Sequence, residues 1–470
     1  MAEARGPAPT VVIRGGTVVD ATGWRRADVV VADGVVVSLD DAVTPPRGST
    51  VLDAGGCLVA PGLVDLHTHL REPGDEQAET IESGTRAAAL GGYTAVVAMP
   101  NTDPPLDSAP AVRAVLDRAA SALVQVAVAG AITVGRAGER LSPMAEMAAL
   151  GVRMFTDDGS GVQSAAVMRR AMEYGRGLGV TLAQHCEDAD LVGDGVMHEG
   201  AWSSRLGLAG RPAAAEEVMV ARDLVLAGLT GARLHLLHLS TAGSVALVAA
   251  AKSRGAAVTA EAAPHHFTLT DSEVATFDPV FKVHPPLRGR SDVDAVVRGL
   301  ADGTIDAIAT DHAPHRADRK ELPFDEAPAG MVGLETALAL ALTELDAGWA
   351  AGWPTGNGNG ARSGKNDETG QTPEDRERDL VSRILALMSW QPAVIAGLDP
   401  GHGGVQGGPI APGAPANLCV VDPGARWTVD RAFLASRSKN TPFAGRTLRG
   451  RVRHTIVRGE PVVRDGEATR

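Results

Sequence analysis

The chain has 470 residues, 44% hydrophobic and 21% charged, which are ordinary proportions for a globular protein. Its length suits one barrel-sized domain with a smaller companion. A formal net charge of -13 argues for a soluble protein and against bulk nucleic-acid binding. No apolar run reaches the roughly 18 residues of a membrane span, and the N-terminal MAEARGPAPT lacks the apolar core of a signal peptide. Three cysteines, Cys57, Cys186 and Cys419, are odd in number and lack CxxC spacing. They read as packed residues in a reducing, cytoplasmic setting.

Residues 10 to 60 carry short β-branched runs separated by Gly15-Gly16 and Asp33-Gly34. Asp-Gly between two apolar runs is a strong hairpin signal, so this stretch is a small antiparallel β unit. From residue 61 apolar strands alternate with Ala-rich helical stretches. Strands are expected at Leu63–Leu70, Tyr93–Pro100, Leu123–Ala131, Gly151–Asp158, Val180–Glu187, Arg233–Ser240, Ala257–Glu261 and Ile305–Asp311. Helices are expected at Glu79–Leu90, Ala109–Ala122, Met144–Leu150, Ala165–Leu178 and Ala213–Ala227. Eight strands in β-α alternation predict a parallel (β/α)8 barrel; an open doubly wound sheet is the alternative, and no GxGxxG follows any strand.

Between strands seven and eight, residues 262 to 304 read as a long irregular segment, the kind that forms a substrate loop over a barrel mouth. A Gly-, Asn- and Thr-rich tract at 348–377 reads as a disordered insertion, its root packed by Trp349 and Trp353. Residues 405 to 470 return to short β runs. The expected organisation is a β-sandwich built from 1–60 and 405–470 beside a barrel spanning 61–404.

The polar residues gather where strands end. His67 and His69 end the first, Asn101 the second, Asp157 and Asp158 the fourth, His185 the fifth, His238 the sixth and Asp311 the eighth. In a barrel these ends share one face, where active sites are built. His67 and His69, two apart on a strand, aim at one point. His67, His69, Asp158, His185, His238 and Asp311 form a candidate ligand set of imidazole and carboxylate that suits Zn²⁺. Six ligands exceed what one tetrahedral ion with an open position needs, so two ions sharing a carboxylate fit better. Paired metals generate a nucleophile near neutral pH and polarise a carbonyl, which points to amide or imide hydrolysis. Asp311 can also take the proton of the attacking water. Arg71, two residues after His69, can grip a carboxylate with parallel hydrogen bonds; Asn101 could donate to it, and His315 could meet the same anion.

The runs PGLVDLHTHLREPG, AMPNT, FTDDG, HCED, HLST, KVHPPLR and TDHAPH together resemble the dihydroorotase family, bacterial class I, of the amidohydrolase superfamily. The resemblance covers nearly the whole chain outside 348–377. It implies reversible cyclisation of N-carbamoyl-L-aspartate to L-dihydroorotate in pyrimidine synthesis. Residue by residue, it implies one zinc on His67, His69 and Asp311, a second on His185 and His238, and Asp158 bridging them. Asp158 is preferred to Asp157 by its spacing from His185. Arg71, Asn101 and His315 would bind substrate, and Asp311 would be the acid/base. His69 would sit at the substrate as well as on the metal. Related cyclic amidohydrolases bridge their metals with a carboxylated lysine on strand four; Arg153 stands about there and a guanidinium is not a carboxylation site.

Two positions depart from the family. His284 stands where members usually carry Asn, and Ala329-Gly330 where Phe-Gly is frequent; by analogy both touch substrate. An imidazole of ordinary pKa at His284 would strengthen carbamoyl aspartate binding as pH falls from about 8 to 6. The competing functions are a hydantoinase or allantoinase, and a silent scaffold for aspartate transcarbamoylase. Association with that enzyme and homo-oligomerisation are the partners the resemblance suggests, with no nucleic acid and no membrane.

Overall fold

The computed structural model describes residues 10–350 and 372–470, with the side chains of 346–350 outside the description. Its centre is an eight-stranded parallel sheet: β1 (Leu63–Thr68), β2 (Tyr93–Ala98), β3 (Gln125–Gly130), β4 (Met154–Thr156), β5 (Thr181–Gln184), β6 (Arg233–Leu236), β7 (Val258–Ala262) and β8 (Ala307–Ile308). Neighbours in sequence are neighbours in space. A parallel bridge between Thr68 and His312 joins the end of β1 to the turn after β8 and closes the ring. The (β/α)8 barrel expected from the alternation is therefore present.

Strand alternation sorts the side chains. Leu66, Val97, Ala129, Met154 and Ala183 fill the barrel interior, while Leu63, Val96, Val128, Phe155 and Leu182 pack against the helices. The helix Ala165–Leu178 shows why the outer layer fits. It buries Val167, Met168, Ala171, Met172 and Gly175, and ends on Gly179 at φ 69°. A Cβ on Gly175 would lie 2.2 Å from the Leu182 side chain on β5, so only glycine lets helix and strand close this far.

Two further sheets stand beside the barrel. A four-stranded sheet pairs Val35–Asp40, Asp28–Ala32, Val11–Arg14 and Thr50–Asp53. The Asp33-Gly34 turn has φ of 50° and 81°, both left-handed, as a two-residue hairpin requires. A seven-stranded sheet sets Leu418–Thr428 directly against Leu58–Pro61, so both chain ends share one sheet. Val11, Ile13, Val18, Val29, Val59, Leu418, Val420 and Ile456 form the core between the sheets.

Three expectations change. Residues 262–304 are not irregular throughout: Pro264–Thr268 and the 13-residue Arg290–Asp302 are helical. The apolar positions Val293, Val296 and Leu300 repeat at helical spacing and are buried. The low-complexity tract ends earlier than 377, because Thr372 and Asp375 cap a helix Pro373–Leu385. The rest of that tract, 351–371, lies outside the described residues, as does the packing expected of Trp349 and Trp353. Arg153 is not at the mouth. It precedes β4, faces outward, and its guanidinium donates to Ala148 O at 3.0 Å; the next residue, Met154, points inward.

The stretch Pro373–His402 is long and apolar enough to cross a bilayer by length and composition, but Leu380, Ile384, Leu385, Leu387 and Met388 are packed in the protein core. All three cysteines are buried and unpaired.

Candidate metal and substrate centre at the barrel mouth

The strand-end residues converge at the C-terminal face of the barrel. Asp158 stands at the middle. Its Oδ1 lies 3.4 Å from His67 Nε2, 3.5 Å from His185 Nδ1 and 3.6 Å from His238 Nε2, and its Oδ2 lies 3.6 Å from His69 Nε2. Asp311 Oδ1 is 3.2 Å from His69 Nε2 and 3.6 Å from His67 Nε2. All six side chains are buried. Two overlapping groups, His67–Asp158–His238 and His67–His69–Asp311, each bring three donor atoms together.

The neighbouring Asp157 is turned the other way. It accepts hydrogen bonds from Thr133 N at 3.0 Å and from the Thr133 hydroxyl, and holds the loop after β3.

The far nitrogens of three histidines are tied down. His67 Nδ1 donates to Glu261 at 2.9 Å, His69 Nδ1 to Asn101 Oδ1 at 2.8 Å, and His185 Nε2 to Glu187 at 3.1 Å. Each bond orients its ring and aims the other nitrogen at the cluster, where once deprotonated it can bind a metal. Burial alone would raise the Glu261 carboxyl, but hydrogen bonds from His235 and His67 outweigh it and hold it at about 2. Asp158 is likewise held well below the usual carboxylate range, the surrounding imidazoles overcoming its burial.

These residues fit a metal centre. His67 Nε2 is buried without a hydrogen-bond partner. Ligand atoms about 2.0–2.1 Å from a tetrahedral ion sit roughly 3.3 Å from one another, close to the spacings here. Neutral imidazoles and ionised carboxylates with no thiolate are the donor set of Zn²⁺ and similar ions.

Three of the eight non-glycine residues with positive φ among the described residues lie at this face. Arg71, His238 and Asp311 have φ of 59°, 32° and 46°. Such left-handed non-glycine residues persist only where surroundings enforce them, and they gather at functional sites.

The remaining expected residues ring the cluster. Arg71 Nε donates to Pro314 O at 3.2 Å, and its Nη2 lies 3.4 Å from His315 Nε2. His315 donates to Ala329 O at 2.8 Å, and Gly330 N donates to Lys282 O at 2.8 Å. Burial, then Arg71, pushes His315 down to about 2, so it is a neutral donor. Asn101 is committed: beyond accepting from His69, its Nδ2 donates to Asp158 at 3.4 Å. His284 is where the sequence expectation fails. Burial, then Arg211, pushes its pKa down to about 3. It is neutral from pH 6 to 8, so the proton-driven preference expected for it has no source.

Sequence reasoning missed Glu261, Glu187 and Asn440. Glu261 was the last residue of the expected strand seven, so the strand-end rule already pointed to it. Glu187 follows His185 by two, a spacing that the expected strand Val180–Glu187 puts on one side, although both lie just past β5 in the structure. Asn440 had no signal. A cavity of about 520 Å³ lined by Thr259, Asp306, Trp390, Val394 and Pro409 opens at the other end of the barrel, away from this chemistry.

The fold is shared with solved structures. L-hydantoinase (dihydropyrimidinase) from Arthrobacter aurescens matches with a TM-score of 0.81 at 24% identity, over 98% of this chain and 97% of that one. Dihydropyrimidinase from Brevibacillus agri matches with a TM-score of 0.80 at 22% identity, over 98% and 96%. These likenesses show the fold, a parallel barrel that carries at its C-terminal face a His/Asp cluster able to hold metal.

A family model described as dihydro-orotase-like matches residues 56–244. Dihydroorotase of Geobacter sp. (strain M21) is 44% identical over 97% of this chain and 100% of its own length. Those of Anaeromyxobacter dehalogenans (strain 2CP-C) and Mycobacterium tuberculosis are 47% and 46% identical, over 97% and 94% of this chain and 99% and 96% of their own. The chain belongs to the dihydroorotase family.

Proposed function

We propose that this chain interconverts N-carbamoyl-L-aspartate and L-dihydroorotate in pyrimidine biosynthesis, using two zinc ions bridged by Asp158. The carrying observation is one carboxylate, Asp158, set among the inward nitrogens of four histidines. His67, His69 and Asp311 would hold one ion, and His185 and His238 the other. Bound zinc supplies Lewis acidity toward the ring carbonyl and lowers the pKa of water to about 7.

The chain's own residues do the rest. In ring opening, Asp311 accepts the attacking water's proton and returns it to the leaving ring nitrogen; in ring closure the same proton runs backwards. Asp311 is ionised and so has a lone pair free to accept: burial would raise its carboxyl, but His69 and His67 outweigh it and hold it below the usual carboxylate range. Arg71 supplies the charge that meets the substrate carboxylate, and His315, held by its bond to Ala329 O, lies beside it. Asn101 holds His69 and borders the same spot, and His284, Ala329 and Gly330 wall the pocket.

Metal analysis with assays on dihydroorotate, hydantoin and allantoin tests this. Two zinc ions per chain and a clear preference for dihydroorotate are expected; a preference for either other ring overturns it. A cytoplasmic setting, a homo-oligomeric state and association with aspartate transcarbamoylase belong to the same proposal. The resemblance supports all three, and the buried, unpaired cysteines support the first alone; they are read out by fractionation and by solution mass alone and with that partner.

A further inference from the structure

Residues 436–440 come from between the two long C-terminal strands, yet they line the wall behind the barrel mouth. Ser436 Oγ and Arg437 N donate to Glu79, and Ser438 Oγ donates to Ala78 O at 2.6 Å. Two residues further on, buried Asn440 uses its whole carboxamide. Its Oδ1 accepts from His315 N at 3.1 Å. Its Nδ2 donates to Ala313 O and to Gly330 O, each at 3.1 Å. Its own carbonyl accepts from Val332 N at 3.1 Å. One side chain thus fastens the turn carrying His315 to the loop carrying Ala329 and Gly330.

The fastening is close. Gly330 has φ 135°, and a Cβ there would lie 2.7 Å from Ala313 Cβ and 3.0 Å from His315 Nε2. Asp311 is anchored separately. His69 N donates to His312 O at 2.9 Å, His312 N to Thr310 Oγ1 at 3.0 Å, and Thr310 N to Asp65 Oδ1 at 2.8 Å. Loss of Asn440 therefore loosens residues 313–315 and 329–330 while leaving Asp311 on its own supports.

We infer that Asn440 is a positioning residue for the carboxylate subsite, setting the gap between His315 and the 329–330 loop where substrate meets Arg71. The inference rests on the assignment of Arg71 and His315 to the substrate carboxylate. It places part of the specificity apparatus in a C-terminal segment that contributes no metal ligand.

The test uses the zinc-loaded enzyme. Asn440→Ala is expected to raise KM for dihydroorotate about tenfold, the effect of about 1.4 kcal/mol in binding. kcat should stay within about threefold and zinc content should not change, because the metal ligands keep their supports. Acetohydroxamate, which needs only the metal centre, should inhibit as before. Asn440→Ser keeps an acceptor for His315 N and should fall between. Asn440→Ser stands in if Asn440→Ala does not fold. An unchanged KM, or parallel losses in kcat, zinc content and hydroxamate affinity, overturns the inference. Arg71→Met is the control. If it leaves KM unchanged, the carboxylate assignment falls and this inference with it. If Arg71→Met raises KM and Asn440→Ala does not, only the role of Asn440 falls.

Discussion

Glu261 accepts a hydrogen bond from His67 Nδ1 at 2.9 Å, which turns the other imidazole nitrogen toward Asp158. The second Glu261 oxygen is 3.0 Å from His235 Nε2, so the carboxylate is itself held in place. Outer partners of this kind are worth roughly 10–100-fold in metal affinity. Glu261→Gln removes the charge and keeps the shape. Zinc affinity should fall toward that range, measured by competition with a chelator. Unchanged affinity would show that Glu261 serves packing alone.

Asp311→Asn should leave the fold intact and cut kcat by roughly 10²–10⁴, the range for lost acid–base help. Its Oδ1 lies 3.2 Å from His69 Nε2 in a group that could hold a metal, and loss of a ligand there would deepen the effect. Steady-state assays alongside zinc analysis separate the two contributions. Near wild-type turnover would remove Asp311 from the mechanism.

Arg71→Met should raise KM for dihydroorotate by roughly 10–100-fold, since charge-assisted hydrogen bonds contribute about 1.5–3 kcal/mol each. Saturation at the wild-type concentration would show that Arg71 is not the carboxylate clamp.

His284 gives a pH prediction of a definite sign. Its folded pKa of about 3 lies below the unfolded value of about 6.5, so between these values the unfolded chain binds the extra proton. The contribution of a neutral His284 is complete above pH 6.5 and is lost as pH falls toward 3. His284→Asn should therefore flatten the acid side of the stability profile, seen in thermal melts between pH 7 and 4. It should leave the pH dependence of carbamoyl aspartate binding from 8 to 6 unchanged. A binding profile that shifts in the variant would mean the imidazole titrates in that range.

How far the sequence could be read depended on whether a residue's role was local. The barrel was legible because β-α alternation repeats through the chain, and HxH because two residues on one strand face one way. Between Asp157 and Asp158, strand spacing could say only that the two point apart; which one faced the metals came from family resemblance. The helix Arg290–Asp302 was hidden by Gly289 and Gly299, although its apolar spacing was in plain view. The charge state of His284 could not be read, because it depends on burial and on Arg211, far away in sequence. Asn440 meets His315 across 125 positions, and no local pattern announces such a contact.

The seven-stranded sheet has a consequence for synthesis. Leu58–Pro61 pairs with Leu418–Thr428, and Asn440 completes the mouth only after most of the chain exists. On the ribosome, an emerging chain holds an early strand whose partner comes more than 350 residues later. Non-local pairing of this kind is slow and leaves an unpaired edge exposed in the meantime. The His/Asp cluster of the barrel mouth is complete in sequence at Asp311, but the loop fastening waits for the C-terminal segment. A chain that has been made only as far as the barrel therefore has every residue of that cluster but lacks the side chain that ties residues 313–315 to 329–330.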